Sequence, residues 1–153
     1  MTTGDDIQVV IFRGGTQEFA LEISQVDRIL RYQKPAPVPS APDFLEGVLP
    51  YGEGVVPVVD LRKRLELPAT QVEETRVMIV TMDGHRVGMV VDGVHEVLRV
   101  DSRRIAPSPP MVRGLAAKYI LGVLTLEDRT VILLQAGRLF SSEERLLLEA
   151  AAS

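Results

Sequence analysis

Short apolar runs, separated by turns rich in glycine and proline, make up most of the chain. The clearest pair, Arg76–Met82 and Arg86–Val91, flanks Asp83-Gly84, a dipeptide typical of two-residue hairpin turns. The other predicted strands are Gln8–Phe12 and Glu18–Glu22, Leu45–Leu49 and Gly54–Val59, Val94–Val100, and Tyr119–Leu126 with Thr130–Leu134. About nine or ten short strands with so little helix predict β-barrels or sandwiches, not a parallel α/β sheet.

Three segments depart from the strand pattern. The apolar spacing of Ile23–Leu30 fits a helix, or a helical turn that passes into a strand. Leu61–Leu67 fits a short helix or an irregular connection that stops before a proline, and Ser141 or Ser142, followed by two glutamates, predicts the N-cap of a C-terminal helix. Pro57 predicts that its strand lies at a sheet edge or a bulge. Since no linker divides the chain, we expect two small barrels packed closely together.

Composition narrows the classes of partner. The net charge is −4 and the densest basic run, Arg62–Arg64, is only three residues long, which argues against nucleic acid as a partner. The absence of cysteine excludes disulfides and thiolate chemistry and suits a reducing cytosol. No apolar run approaches the roughly 20 residues of a membrane-spanning helix, and the N-terminus lacks a secretory signal. We therefore expect a cytoplasmic protein without direct membrane insertion.

Two Val-Val-Asp runs, ending at Asp60 and Asp92, form the sharpest candidate for chemistry. Aspartic proteases also place an aspartate after an apolar strand in each of two β lobes, so that two carboxylates share one proton. Here the threonine or serine of that motif follows neither aspartate, and we expect each to end a strand by accepting hydrogen bonds from backbone amides. His85 and His95 lack further ligands for zinc, and the Gly-Glu-Gly run at 52–54 would repel phosphate. The sequence predicts no enzyme, no metal site and no cofactor.

Five further segments follow one another in a recognisable order. They are Phe19–Ile23 with Val26 and Ile29-Leu30; Val38-Pro39, Ala41–Phe44 and Gly47-Val48; Val56–Arg62; Val87–Val94 with Val97-Leu98; and Tyr119-Ile120, Gly122 and Ile132–Leu134. No one of them is specific alone. Together, and with the C-terminal Ser-Glu-Glu and leucine run, they make the chain from Asp6 to Ala152 resemble the CheW family, the coupling proteins of bacterial chemotaxis arrays.

The resemblance implies a fold and a function. The fold is two packed five-stranded SH3-like barrels with a short C-terminal helix, intertwined in a single domain over residues 6–152. The function is that of a non-enzymatic adaptor, which couples the cytoplasmic tips of methyl-accepting chemoreceptors to the regulatory domain of the histidine kinase CheA. Such a protein is expected in the cytoplasm, associated with membrane-bound or soluble receptor arrays.

The resemblance also implies two binding surfaces. The receptor-binding residues are expected at Val10, Ile23, Val26, Val94 and Val97, in an apolar groove between the barrels. A few buried aliphatic anchors are the usual basis of helix-in-groove binding. The kinase-binding residues are expected on the first barrel, at Arg28, Ile29, Gly47 and Gly52.

Two of these positions depart from the family. Where the family usually has Gly-Val-Ile-Asn-Leu-Arg-Gly, residues 47–53 read Gly-Val-Leu-Pro-Tyr-Gly-Glu, so that Gly52 replaces an arginine, and Arg28 replaces an acidic residue. Drift on a solvated face explains such changes if the ion pair contributes only ~0–1 kcal/mol. A changed partner explains them if charge complementarity selects the partner. The alternative function is therefore a specialised CheW-like regulator, or an array filler, for a non-flagellar or other histidine-kinase pathway.

Overall fold

The computed structural model describes residues 6–107 and 119–151, and these form mostly strands. The strands are β1 (Asp6–Gly14), β2 (Gln17–Glu22), β3 (Val26–Arg31), β4 (Leu45–Tyr51), β5 (Gly54–Asp60), β6 (Arg76–Met82), β7 (His85–Val91), β8 (Gly93–Asp101), β9 (Ile105–Ala106), β10 (Ile120–Leu126) and β11 (Arg129–Leu134). The helices are α1 (Leu61–Arg64) and α2 (Ser142–Ala151), with 3₁₀ turns at Ile23–Gln25, Ser102–Arg104 and Ala136–Arg138. Residue 152, at the end of the expected domain, lies outside the described residues.

Two sheets share the chain in an interleaved way. One sheet has the strand order β8-β1-β2-β11-β10-β9, and the other has the order β3-β6-β7-β5-β4. The chain begins in the first sheet, builds the whole second sheet with β3–β7, and returns to the first sheet with β8–β11. The predicted all-β class with a C-terminal helix is confirmed. The second sheet has the expected five strands, whereas the first gains the two-residue β9 as a sixth.

Several local predictions are confirmed by the backbone. Asp83 and Gly84 have φ values of 49° and 82°, the two positive angles that a type I′ hairpin requires. For the segment after β2, the structure decides between the two alternatives: a 3₁₀ turn at Ile23–Gln25 passes into β3, so there is no longer helix. Ser141 Oγ accepts a hydrogen bond from Glu144 N, and Glu144 Oε1 accepts one from Ser141 N, which is a capping box at the start of α2.

The prediction for Pro57 is wrong in detail. Its strand β5 lies between β7 and β4, so Pro57 is not in an edge strand, and the irregularity in the β4–β5 ladder lies between Leu45 and Gly47. Pro57 faces Val48, whose N–H and C=O bond instead to Ala36 at 2.9 Å. On its other side, the ladder to β7 begins only at Val58. Pro57 is tolerated because no neighbouring strand needs an N–H at this position.

The largest apolar core is built from both sheets. Val10, Phe12 and Leu21 of the first sheet pack in one cluster with buried side chains of the second, among them Met78 and Met89. Each sheet also has a smaller cluster of its own, around Ile11 in the first and Ile79 in the second. The barrels are therefore not independent units, because most of the buried apolar surface lies where they meet.

A buried arginine reinforces this junction. Arg62, in α1, is 0% exposed. Its Nε and Nη2 donate to the two carboxylate oxygens of Asp60 at 2.9 and 2.8 Å, while Nη1 donates to Asp92 Oδ1 and to the carbonyl of Thr70, both at 2.9 Å. Asp92 also accepts from the N–H of Gly15 in the β1–β2 turn. The two Val-Val-Asp runs thus converge on one guanidinium that joins the sheets.

This arrangement goes beyond the expected role of the two aspartates. Each does bond a backbone amide, since Asp60 accepts from Arg62 N at 2.9 Å and Asp92 accepts from Gly15 N. The hydrogen bonds that Arg62 donates to Asp60, and then the one that it donates to Asp92, raise the pKa of Arg62 against the opposing effect of burial. The Arg62 guanidinium lies between the two carboxylates. They therefore cannot share one proton in the way that the aspartates of an aspartic protease do.

We expect Arg62→Met to destabilise the fold by about 3–5 kcal/mol, because it leaves two carboxylates without their buried cation. Urea unfolding followed by circular dichroism measures the change. The matched control is Arg103→Met, since Arg103 pairs with Asp101 in the same sequence pattern but is 72% exposed. That variant should leave the free energy of unfolding close to that of wild type, because an ion pair in water contributes little to stability. Equal effects of the two variants would contradict the special role of Arg62.

We also expect residues 6–152 to unfold as a single domain, because the main core belongs to both sheets. Native-state hydrogen exchange should give the amides of Val10 in the first sheet and Met78 in the second the same free energy of opening. A second sheet that opens well below the first would show two domains instead.

Candidate functional site

An exposed set of aliphatic side chains lies where the two sheets meet. We call it the apolar face, and it consists of Ile23, Val26, Val94 and Val97. Ile23 and Val97 are 39% and 49% exposed, high values for large aliphatic residues, and the other two are half-buried against the main core. The chain passes from β2 in the first sheet to β3 in the second through the 3₁₀ turn that contains Ile23. This crossing places the turn at the junction.

A β-bulge puts the two valines of β8 on one side. Val97 pairs with Val10 and Val94 pairs with Phe12, and the register shifts between Ile11 and Phe12. Val10 and Phe12 are two residues apart on β1, so they and their partners face the same way. A spacing of three would otherwise point Val94 and Val97 to opposite faces.

Val10 itself has almost no surface. It is 1% exposed and belongs to the main core, so a partner would contact its neighbour on β8, Val97, instead. The sequence could not separate a surface residue of the groove from the core residue beside it. Its direct part in receptor binding remains a prediction that burial does not favour.

The kinase-binding residues expected on the first barrel do not lie in the sheet where the chain begins. They belong to the second sheet, with Arg28 and Ile29 in β3, Gly47 in β4 and Gly52 in the turn after β4. These strands are the two ends of the strand order, yet the sheet curls until they meet. The Arg28 guanidinium carbon lies 5.8 Å from the centre of the Tyr51 ring, across this junction. The departures from the family at Arg28 and at Gly52, next to Tyr51, are therefore neighbours in space.

Tyr51 is a residue that the sequence reasoning passed over. The guanidinium carbon of Arg86, in β7, also lies 5.8 Å from its ring, and the Tyr51 hydroxyl donates to Asp27. That hydrogen bond raises the pKa of Tyr51. We call Asp27, Arg28, Tyr51 and Arg86 the Tyr51 cluster. The only signal for it in the sequence was that Tyr51 replaces an apolar residue of the family motif beside Gly52.

Gly47 has a structural role. Its φ is +148°, and a Cβ there would lie 2.3 Å from the carbonyl oxygen of Ala36, too close for any side chain. Ala36 and Val48 exchange two backbone hydrogen bonds at this point, which fix the loop after β3 against β4. Gly47 is buried by this loop, so its expected contact with a kinase remains a prediction. Gly52 differs, since an added Cβ would meet nothing within 4 Å.

The two histidines, the remaining candidates for chemistry, lie beside these surfaces, since His85 lines the same cavity as the Tyr51 cluster and His95 lines another cavity with Val94. His85 is at the β6–β7 turn, 53% exposed, with Nε2 3.4 Å from a carboxylate oxygen of Glu149 in α2. His95 is an exposed residue of β8. Within residues 6–107 and 119–151, no three histidine or carboxylate groups lie together as metal ligands would. No helix in that part of the chain is long and apolar enough to cross a membrane.

Comparison with known proteins is consistent with this geometry. The sequence profile described as "CheW-like domain" matches residues 8–144. The chain is 35% identical over 143 residues to "Chemotaxis protein CheW" of Klebsiella aerogenes, covering 93% of this chain and 86% of the relative. It is 34% identical to the protein of the same name from Rhizobium meliloti, with 90% of each covered.

A solved structure also matches. The crystal structure of scaffolding protein TtCheW from Thermoanaerobacter tengcongensis superimposes with a TM-score of 0.81, at 28% identity over 90% of this chain and 94% of that one. This match confirms the two-barrel fold expected from the sequence.

We expect Gly47→Ala to destabilise the protein by about 2 kcal/mol or more, since the new methyl group collides with backbone and the φ angle strains any other residue. The control is Gly54→Ala, where an added Cβ meets nothing and φ is ordinary, and it should change stability by less than about 0.5 kcal/mol. Thermal unfolding of the two variants measures the difference. A tolerated alanine at position 47 would show that the loop after β3 is not fixed as described.

Proposed function

This chain belongs to the CheW family, and we propose that it is a non-enzymatic adaptor that couples chemoreceptor tips to a CheA-type histidine kinase in the cytoplasm. The observation that best supports this proposal is the apolar face. Its four aliphatic side chains belong to the 3₁₀ turn, β3 and β8, and the most exposed of them leaves half its surface in water. Exposed apolar residues gathered at a junction, rather than scattered singly, are typical of interaction sites.

A helical receptor tip suits the shape and chemistry of the apolar face. Burying one such aliphatic side chain fully contributes roughly 1.5–3 kcal/mol. A helix presents its apolar residues at intervals of three and four, so one helix can cover Val94 and Val97 and reach Ile23 on the neighbouring turn. Val10 and Phe12, their partners on the neighbouring strand β1, are buried in the main core and hold this side of β8 in place. The receptor would thus bind to a surface that is already formed in the free protein.

The second sheet is the proposed kinase side. Ile29 is 39% exposed in β3, beside Arg28, while Gly52 leaves open space in the turn after β4. The apolar face and this side share β3, since Val26 belongs to one and Arg28 and Ile29 to the other. A protein with these two faces can hold a receptor and a kinase at once. Signalling then needs no chemistry in the adaptor, because a shifted contact at one face is transmitted through the shared strand.

A second function is supported by the charge at position 28. If the kinase presents a basic group that pairs with the acidic residue of other family members, Arg28 repels that group. The protein then fills receptor arrays without recruiting that kinase. Co-purification of the protein with receptor fragments and the cognate CheA regulatory domain, singly and together, separates the two functions. The adaptor binds both partners, whereas the filler binds receptor alone.

We expect Val97→Asp to weaken binding of a chemoreceptor tip fragment about tenfold or more, because it removes an anchor and buries a charge. Val72→Asp is the matched control, since Val72 is 48% exposed against 49% for Val97 and belongs to the loop before β6, not to the apolar face. Amide shift changes during titration of the labelled protein measure affinity and location together. Equal loss in both variants, or wild-type shifts absent from residues 23–26 and 94–97, would reject the receptor site.

A further inference from the structure

The Tyr51 cluster points to the chemistry of the kinase that this protein selects. We propose that Arg28, held in place by Tyr51, is the specificity-determining residue of the second sheet and pairs with a carboxylate on the CheA-type regulatory domain. The inference rests on the proposed adaptor function and adds to it the charge of the partner.

The backbone of β3 places Arg28 and Asp27 together. The register with β6 shifts between Val26 and Arg28, so that Asp27 is the extra residue of a bulge. In a regular strand, adjacent side chains point to opposite faces, whereas here both reach Tyr51, Arg28 by its guanidinium and Asp27 by its carboxylate. The bulge therefore aims Arg28 at the end of β4.

Within the cluster, the acidic group is already occupied. Asp27 accepts the hydroxyl hydrogen of Tyr51, and its carboxylate lies 3.3 Å from Nε of Arg86. Arg28 has no carboxylate within 4.0 Å among the residues that the structure describes, and it lies exposed over the Tyr51 ring. The reversed charge at position 28 is thus not neutralised by an ion pair within that part of the chain. Its complement is expected on a partner.

The surroundings of Arg28 have room for a partner side chain. A cavity of about 630 Å³ is lined by the Tyr51 cluster, Gly52 and the neighbouring hairpin turns. Val55, which is 37% exposed, supplies an apolar patch in the same cavity, and Glu53 also faces it. The cavity is open at the surface, which suits a protruding protein loop. Gly52 stands where the family has an arginine. The space beside it is therefore open, and the cavity lacks that second positive charge.

Tyr51 restricts the conformations of the Arg28 side chain, and this restriction makes Arg28 selective for its partner. A guanidinium that rests on an aromatic ring loses less conformational entropy when it binds than one extended into water. Arginine and tyrosine are also the residue types most often found among interface residues that dominate affinity. Because Asp27 and Arg86 fix the hydroxyl and the ring, the cluster presents Arg28 in one position. A carboxylate of the partner then meets a planar donor fit for two parallel hydrogen bonds.

The test is the affinity of full-length variants for the cognate CheA regulatory domain at low and at high salt. Arg28→Glu should weaken binding at least about tenfold, since it turns attraction into repulsion. Arg28→Gln should weaken it less and reduce the salt dependence, because an ion pair is lost without repulsion. Tyr51→Leu should weaken binding with Arg28 intact, while Tyr51→Phe keeps the ring and should have a smaller effect. Arg99→Glu, an exposed arginine on β8, is the control and should bind as wild type.

The outcomes distinguish this inference from the adaptor function. A wild-type protein that binds receptor fragments but not the kinase domain rejects the adaptor function itself. If wild type binds the kinase and Arg28→Glu binds equally well, only the inference fails, and the charge reversal is drift on a solvated surface. Tighter binding by Arg28→Glu would show that the partner site is basic and overturn the inference directly. Receptor binding by each variant confirms that it is folded.

Discussion

The buried guanidinium of Arg62 is the interaction on which the arrangement of the two sheets depends. Asp60 closes β5, Asp92 stands between β7 and β8, and the turn of the first hairpin donates to Asp92. Buried ion pairs contribute little to stability relative to apolar packing, but they tolerate few alternative arrangements. Here the pairing fixes where the chain leaves the second sheet and re-enters the first. The apolar core supplies the driving force, and Arg62 sets the geometry.

Both proposed binding faces follow from that geometry. The apolar face exists because a short 3₁₀ turn crosses between sheets beside a bulged β8, and the Tyr51 cluster exists because the second sheet curls until β3 meets β4. Neither face contains a buried catalytic group or a strained nucleophile in the described residues. Each is instead a preformed surface on a rigid core, which keeps the entropy cost of association low. This is the physical character expected of an adaptor.

The charge reversal at position 28 shows how such a surface diverges. Arg28 stands where the family has an acidic residue, and its guanidinium lies over the ring of Tyr51 in a cation–π contact. Contacts of this type on exposed surfaces are weak, and the fold is not at risk from the exchange. What changes is the sign of the charge that a partner meets. A stable scaffold can therefore alter its partner while its core stays the same.

The sequence by itself determined the strands, most turns and the family, because alternation, glycine and proline act within a few residues of chain. It also named candidate side chains for both faces, whose binding roles remain predictions, but it could not tell buried Val10 from exposed Val97, and it missed Tyr51. Tertiary structure decided the rest: that Asp60 and Asp92 share one arginine, that Pro57 needs no donor in mid-sheet, and that Arg28 meets Tyr51. These relations join residues up to dozens of positions apart. They arise from sheet curvature and bulges, which no local pattern encodes.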